Sequence, residues 1–221
     1  MISTNSFKFL IELTENNNRE WFNLHKQRYT EALNEIIGVT SMLIHEIEKF
    51  DTSITGLDSK KCIFRIYRDV RFSKDKVPYK NHFGIFFSPN GKNSSMPGYY
   101  LHIQPDESFL GGGVWMPDAK ELFATRQEIY YNYDTFRKII DEPAFAKEFP
   151  ELDHTHKNIK VPKGFDPDFE GIDVIKHKSF FFAQKLSDEQ LMAPNAKEKV
   201  VELLKKLHPF NSFMRTAFEE D

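Results

Sequence analysis

Arg65, Arg68 and Arg71 recur at every third position, Asp69 stands among them, and Lys74, Lys76 and Lys80 follow shortly after. Arginine grips an oxyanion with parallel N–H donors and lysine adds a compact positive charge, so this spacing suits a phosphate ester or a carboxylate. Asp69 is expected to stay ionised, because nearby positive charge favours the carboxylate; it suits orienting an arginine better than accepting a proton. On a regular strand from Cys62 to Phe72, alternation turns Cys62, Phe64, Ile66, Val70 and Phe72 toward a core and Arg65, Tyr67, Asp69 and Arg71 away from it. Arg68 breaks the alternation, which implies a bulge or a buried carboxylate partner. Same-face neighbours stand about 7 Å apart, so Arg65 and Arg71 would be about 20 Å apart on a straight strand. The ligand-binding candidates are Arg65, Arg68, Asp69, Arg71, Lys76, Tyr79 and Lys80, with Tyr67 and His102 completing a wall.

No catalytic group is fixed by the sequence; His102, Asp69 and Tyr79 are the candidates. Tyr100, His102 and Gln104 share one strand face, opposite Tyr99, Leu101 and Ile103, and His102 serves as an acid or base only if that face meets the arginine strand. A lone strand histidine is more often a hydrogen-bonded structural group, and His82 carries the same ambiguity. Gly111-Gly112-Gly113 precedes a helix, but no Gly-Lys-Ser/Thr follows and no βαβ unit surrounds it, so close packing against bare backbone is the favoured reading. Asp153-His154-Thr155-His156 offers metal-like spacing without an identifiable third ligand. Cys62, the single cysteine, excludes an internal disulfide and reads as core. No metal and no cofactor are expected.

These residues sit on an otherwise acidic chain. Between Lys60 and His82 there are eight Lys or Arg against two Asp, a local +6; the net charge is −3, so the remainder carries −9. A basic island on an acidic protein focuses a field for an anionic partner, while the overall sign argues against a general nucleic-acid binder. No apolar run approaches the roughly 18 residues of a membrane span, and the start lacks a signal-peptide pattern, so a cytoplasmic location and no membrane partner are expected.

Helical spacing runs through Phe7, Leu10 and Ile11, with Ser3 or Thr4 as cap, and again from about Arg19 to Asp51. Strand patterns follow at 62–72, 82–88, 98–104 and 108–116, divided by turn signals at Pro89-Asn90-Gly91-Lys92 and Pro105-Asp106-Glu107. Pro117 suits the first turn of a helix reaching about Tyr131, and a short helix is expected at 144–149. Further strands are expected at 158–161 and 179–186, then helices at 195–207 and 209–218. Helices, a strand meander and helices again define an α+β fold: a central antiparallel sheet of five to seven strands with N-terminal and C-terminal helices packed on it. No linker marks a boundary, so residues 1–221 are expected to form a single domain, with helices at about 4–51, a strand-rich middle at about 60–117 and a helix-rich part from about 118.

Arg65, Arg68, Asp69, Arg71, Phe72, Lys76 and Tyr79 form the pattern Arg-x-x-Arg-Asp-x-Arg-Phe with Lys and Tyr shortly after. In this the chain resembles a bacterial family of conserved hypothetical proteins, the domain of unknown function numbered 2461. Asn18-Arg19-Glu20-Trp21-Phe22, Gly98-Tyr99-Tyr100-Leu101-His102, Gly111-Gly112-Gly113 with Trp115 and Pro117, and Pro162-Lys163-Gly164-Phe165 extend the likeness over nearly the whole chain. The resemblance implies one domain and supplies no activity, substrate or cofactor. Three functional readings follow from the residues. The first is a site for a small anionic ligand on the motif strand, with catalysis left open. The second is a non-enzymatic module whose basic island docks an acidic protein or a nucleic-acid backbone. In the third, the motif is a structural arginine–aspartate network.

Overall fold

The structure, a computed structural model, describes residues 1–71 and 73–218. Phe72, the phenylalanine of the arginine motif, lies outside the described residues. The chain forms two compact units, each assembled from three segments: Met1–Ser94, Tyr100–Leu110 and Lys185–Glu202 in unit 1, and Ser95–Tyr99, Gly111–Gln184 and the chain from Leu203 in unit 2.

Unit 1 begins with α1 (Thr4–Glu15), whose first turn is capped by Ser3: its Oγ accepts from Ser6 N at 3.2 Å. Ser3 also donates from N and Oγ to the Glu35 carboxylate at 2.9 and 3.0 Å, fixing α1 against α3 (Lys26–Ile47). Asn18 caps α2 (Arg19–Leu24) through Trp21 N. The helical region expected to run unbroken from Arg19 divides at His25, whose backbone N–H and ring both engage the Trp21 carbonyl while the Trp21 indole stacks on the imidazole at 4.2 Å. On α3, Ile36, Val39, Leu43, Ile44 and Ile47 are buried at helical spacing.

Four strands, β1 (Phe83–Phe87), β2 (Gly98–Ile103), β3 (Phe109–Val114) and β4 (Phe180–Lys185), form one antiparallel sheet in the order β1-β2-β3-β4. The fold is α+β as expected, but among the described residues the sheet has four strands where five to seven were expected. Two expected strands fail for definable reasons. At its start, the 62–72 segment is captured by the short helix α4 (Ser59–Cys62), capped by Asp58. Beyond it, among the described residues, pairing survives only as bridges from Ile63 to Ile85 and from Tyr67 to Tyr79. The segment starts beside β1, then turns to pair with its own return stretch, where Pro78 has no N–H to donate. At 158–161, Ile159 is 97% exposed and only Lys157 bridges to His177, so no burial rewards a ladder.

In unit 2, Asp118 and Glu121 form a capping box that opens α5 (Ala119–Tyr131), leaving Pro117 just before the cap instead of inside the first turn. Helices α6 (Tyr133–Ile140), α7 (Pro143–Glu148) and α8 (Ile172–Ile175) follow before β4. After α9 (Asp188–Met192), the two expected C-terminal helices are one, α10 (Ala196–Thr216), which continues through Pro209. An interior proline costs about 3 kcal/mol. Burying Phe210 and Met214 completely offsets this, since each such side chain contributes about 1.5–3 kcal/mol. Phe136, Phe145 and Phe182 surround Phe210.

Candidate functional site

The motif divides into two halves with different electrostatic fates. Arg68 Nη1 meets Asp75 Oδ2 at 2.6 Å, and Arg71 grips Asp69 through Nε at 3.0 Å and Nη2 at 2.6 Å. Lys76 Nζ donates to the Val70 carbonyl at 3.0 Å. Each of these groups closes the 68–76 loop on itself. Asp69 and Asp75 are held below the usual carboxylate range, Asp69 chiefly by its bonds from Arg71 and Asp75 chiefly by its bond from Arg68. The loop is clasped at its base by Asn17, which accepts from Tyr79 N at 3.1 Å and donates to Tyr79 O at 3.0 Å. The Tyr79 ring is buried, stacked on Phe22 at 3.9 Å with Tyr67 beside it at 5.4 Å.

Arg65 and Lys80 form the other half. Among the described residues neither makes an ion pair. Lys80 Nζ lies 5.3 Å from the centroid of Phe64, and burial, then the Arg65 charge, lower its pKa. Arg65 also lies within electrostatic reach of Asp69, whose two oxygens are both engaged by Arg71.

Within electrostatic reach of Lys80 stand two histidines that the sequence leaves ambiguous. His82 and His102 face each other with centroids 4.2 Å apart, and Phe109 stacks on His102 at 4.8 Å. Burial, with smaller effects from His102 and Lys80, pushes His82 down to about 3. His102 is lowered by burial and by Lys80, partly opposed by Gln104 and Glu107. The same face carries Tyr100, whose hydroxyl is pushed up to about 12 by burial and whose ring meets Phe64 edge-on at 6.3 Å. Burial and the Lys80 charge therefore bias both imidazole rings toward the neutral form. Gln104 and Glu107, which complete this face, are not singled out by residue type; the signal for them is the period-two run Tyr100, His102, Gln104 entering a turn.

Other sequence candidates resolve into packing. A Cβ on Gly111 would collide with the Phe181 ring and the Phe182 carbonyl; on Gly113, held at φ +120°, with the Phe180 carbonyl and Phe210. Gly112 lies 3.0 Å from the Asn211 amide by the same measure. The α5 N-terminus beyond them is filled by Asp118. Burial raises the Cys62 thiol to about 12, as inert core requires. His154 meets Glu151 at 3.2 Å, and among the described residues no three His, Cys, Asp or Glu side chains gather as a metal-binding group. A polar cavity of about 460 Å³ lies along α1 and α3, but Arg28 already engages Glu12 there and Ser3 and Ser6 engage Glu35. Among the described residues no helix is long and apolar enough to cross a membrane.

Comparison with curated proteins and with solved structures finds no match. A family model does match, described as a conserved hypothetical protein, DUF2461, over residues 5–213, and so takes in Arg65, Lys80, His82 and His102. The chain belongs to this DUF2461 family.

Proposed function

We propose that the protein binds a small anion, a phosphate ester or carboxylate, at Arg65 and Lys80, with His82 and His102 lining the seat. One observation carries this reading: the two cations repel each other and make no ion pair among the described residues, while their sequence neighbours Arg68 and Arg71 are neutralised by aspartates. Like charges held together store unfavourable energy that a bound anion relieves. Asp69, Arg71, Arg68, Lys76 and Tyr79 then act as the frame that holds the loop beside the seat.

The test is thermal denaturation with inorganic phosphate, phosphate monoesters and dicarboxylates. An anion at 100 times its Kd adds about 2.7 kcal/mol and raises Tm. Arg65→Ala should abolish that rise without lowering the unliganded Tm. If no anion raises Tm, or Arg65→Ala leaves the rise intact, the seat is elsewhere. A second reading, docking of an acidic protein or nucleic-acid backbone, draws on the 77% exposure of the Arg71 side chain and the exposed Lys74 and Lys76. It predicts polyanion binding that weakens steeply with salt and depends on these residues more than on Lys80.

A further inference from the structure

Strand β2 delivers Tyr100 and His102 to one face, and Gln104 continues it into a tight turn. Ser108 Oγ accepts from Gln104 N at 3.0 Å and donates to Gln104 O at 2.8 Å, while Glu107 N donates to Gln104 O at 3.1 Å. Asp106 adopts the left-handed region at φ 63°, and the turn brings the Glu107 carboxylate onto Gln104 Nε2. That contact fixes the amide. With its nitrogen donating to a carboxylate, Gln104 presents Oε1 to His102 Nε2 at 2.9 Å. An amide oxygen only accepts, so Nε2 carries the ring proton and Nδ1 keeps its lone pair. That lone pair faces the Tyr100 hydroxyl at 3.1 Å. His102 is thus held as a neutral, oriented proton acceptor between Phe109 and His82.

Tyr100 Oη depends on one further residue. A Cβ at Gly84 would stand 2.5 Å from it, so only glycine leaves the hydroxyl where the relay needs it. A base fixed by a second acceptor and aimed at a hydroxyl is the arrangement that activates nucleophiles in acyl and phosphoryl transfer.

We infer that Glu107, Gln104, His102 and Tyr100 form a proton relay that activates water against a small anionic ester seated at Arg65 and Lys80. The seat rests on the reading above; the relay stands on its own hydrogen bonds. In the step, a water O–H bond breaks and its proton passes to Tyr100 Oη as the Tyr100 proton moves to His102 Nδ1. The water oxygen bonds to the ester's phosphorus or carbonyl carbon. The leaving alkoxide departs with the electron pair of the broken ester bond and takes the proton back from His102 through Tyr100. The sum is ester plus water giving acid plus alcohol. The Gln104 oxygen, oriented by Glu107, stabilises the transient imidazolium.

The probe is 4-nitrophenyl phosphate, assayed from pH 6 to 9, with long-range 1H–15N NMR of the histidine rings. Tyr100→Phe should lower kcat about 100-fold or more with KM unchanged, as loss of a general base does. Gly84→Ala substitutes none of the four relay residues but displaces the Tyr100 hydroxyl, and should cost kcat in the same way. His102 should be protonated at Nε2 in the wild type and become a mixture of tautomers in Gln104→Leu. No turnover by the wild type, full kcat in Tyr100→Phe, or a proton on His102 Nδ1 overturns the relay. The seat is read separately: Arg65→Ala should raise KM and spare kcat, and an unchanged KM with the relay results intact discards the seat alone.

Discussion

Gly111–Gly113 and the Arg65–Lys80 segment are the two most unusual stretches of the sequence, and they differ in what the fold asks of them. Every glycine in the first is accounted for by a neighbour that occupies the space of its missing side chain, namely Phe181, Asn211 and the Phe180 carbonyl. In the second, internal partners account for Arg68 and Arg71 but leave Arg65 and Lys80 within electrostatic reach of one another. Residues that packing explains are conditions of folding. Residues whose types the interior does not explain, and whose placement costs stability, are where function is to be sought.

The comparison breaks most visibly at Gly113. Gly113→Ala must both place a Cβ against the Phe180 carbonyl and adopt φ +120°, and should cost about 3 kcal/mol or more by urea denaturation. A loss below about 1 kcal/mol would mean the run is not a packing device. Next in size is the acid response. The folded pKa of His82 lies far below the ordinary 6.5, so below pH 6.5 the unfolded chain binds the extra proton first and stability falls toward pH 3. Tm should therefore drop between about pH 6.5 and 4, and His82→Phe should flatten that slope; an equal slope in the variant would locate the acid sensitivity elsewhere. Lys80→Met is expected to keep or slightly raise the unliganded Tm, since it removes a half-buried charge beside Arg65, while eliminating the rise produced by phosphate. A clear fall in unliganded Tm would place Lys80 with the structural residues. The smallest effect belongs to Arg71→Ala. Its pair with Asp69 is exposed, and such pairs contribute about 0–1 kcal/mol, so a loss well beyond that in chemical denaturation would restore the structural-network reading.

Much of the scaffold was legible in order. Strand β2 shows in alternation, the Pro105-Asp106-Glu107 turn marks its division from β3, and Ser3, one of two cap candidates, opens α1. The Cys62–Phe72 stretch reads as a strand because its residue types alternate, and Arg65, Tyr67, Asp69 and Arg71 are indeed exposed. It fails as a ladder because alternation reports burial on two faces and not the presence of a continuous partner strand. Pro209 illustrates the converse: local chemistry forbids what the burial of Phe210 and Met214 enforces. The approach of His82 to His102 was not readable, since it depends on how β1 and β2 are aligned, which neither segment specifies alone.

The Asn17 clasp has a consequence for how the basic loop can vary. One side-chain amide supplies both hydrogen bonds that a neighbouring strand would have given Tyr79, and Arg68 N to Pro78 O closes the loop just above it at 2.9 Å. The stretch between these closures is a hinged cassette: its length and charge can change while Arg65 and Lys80, outside it, keep their places. Because doubling the length of such a loop costs only about 0.6 kcal/mol, the protein can alter what approaches the seat without rebuilding the seat.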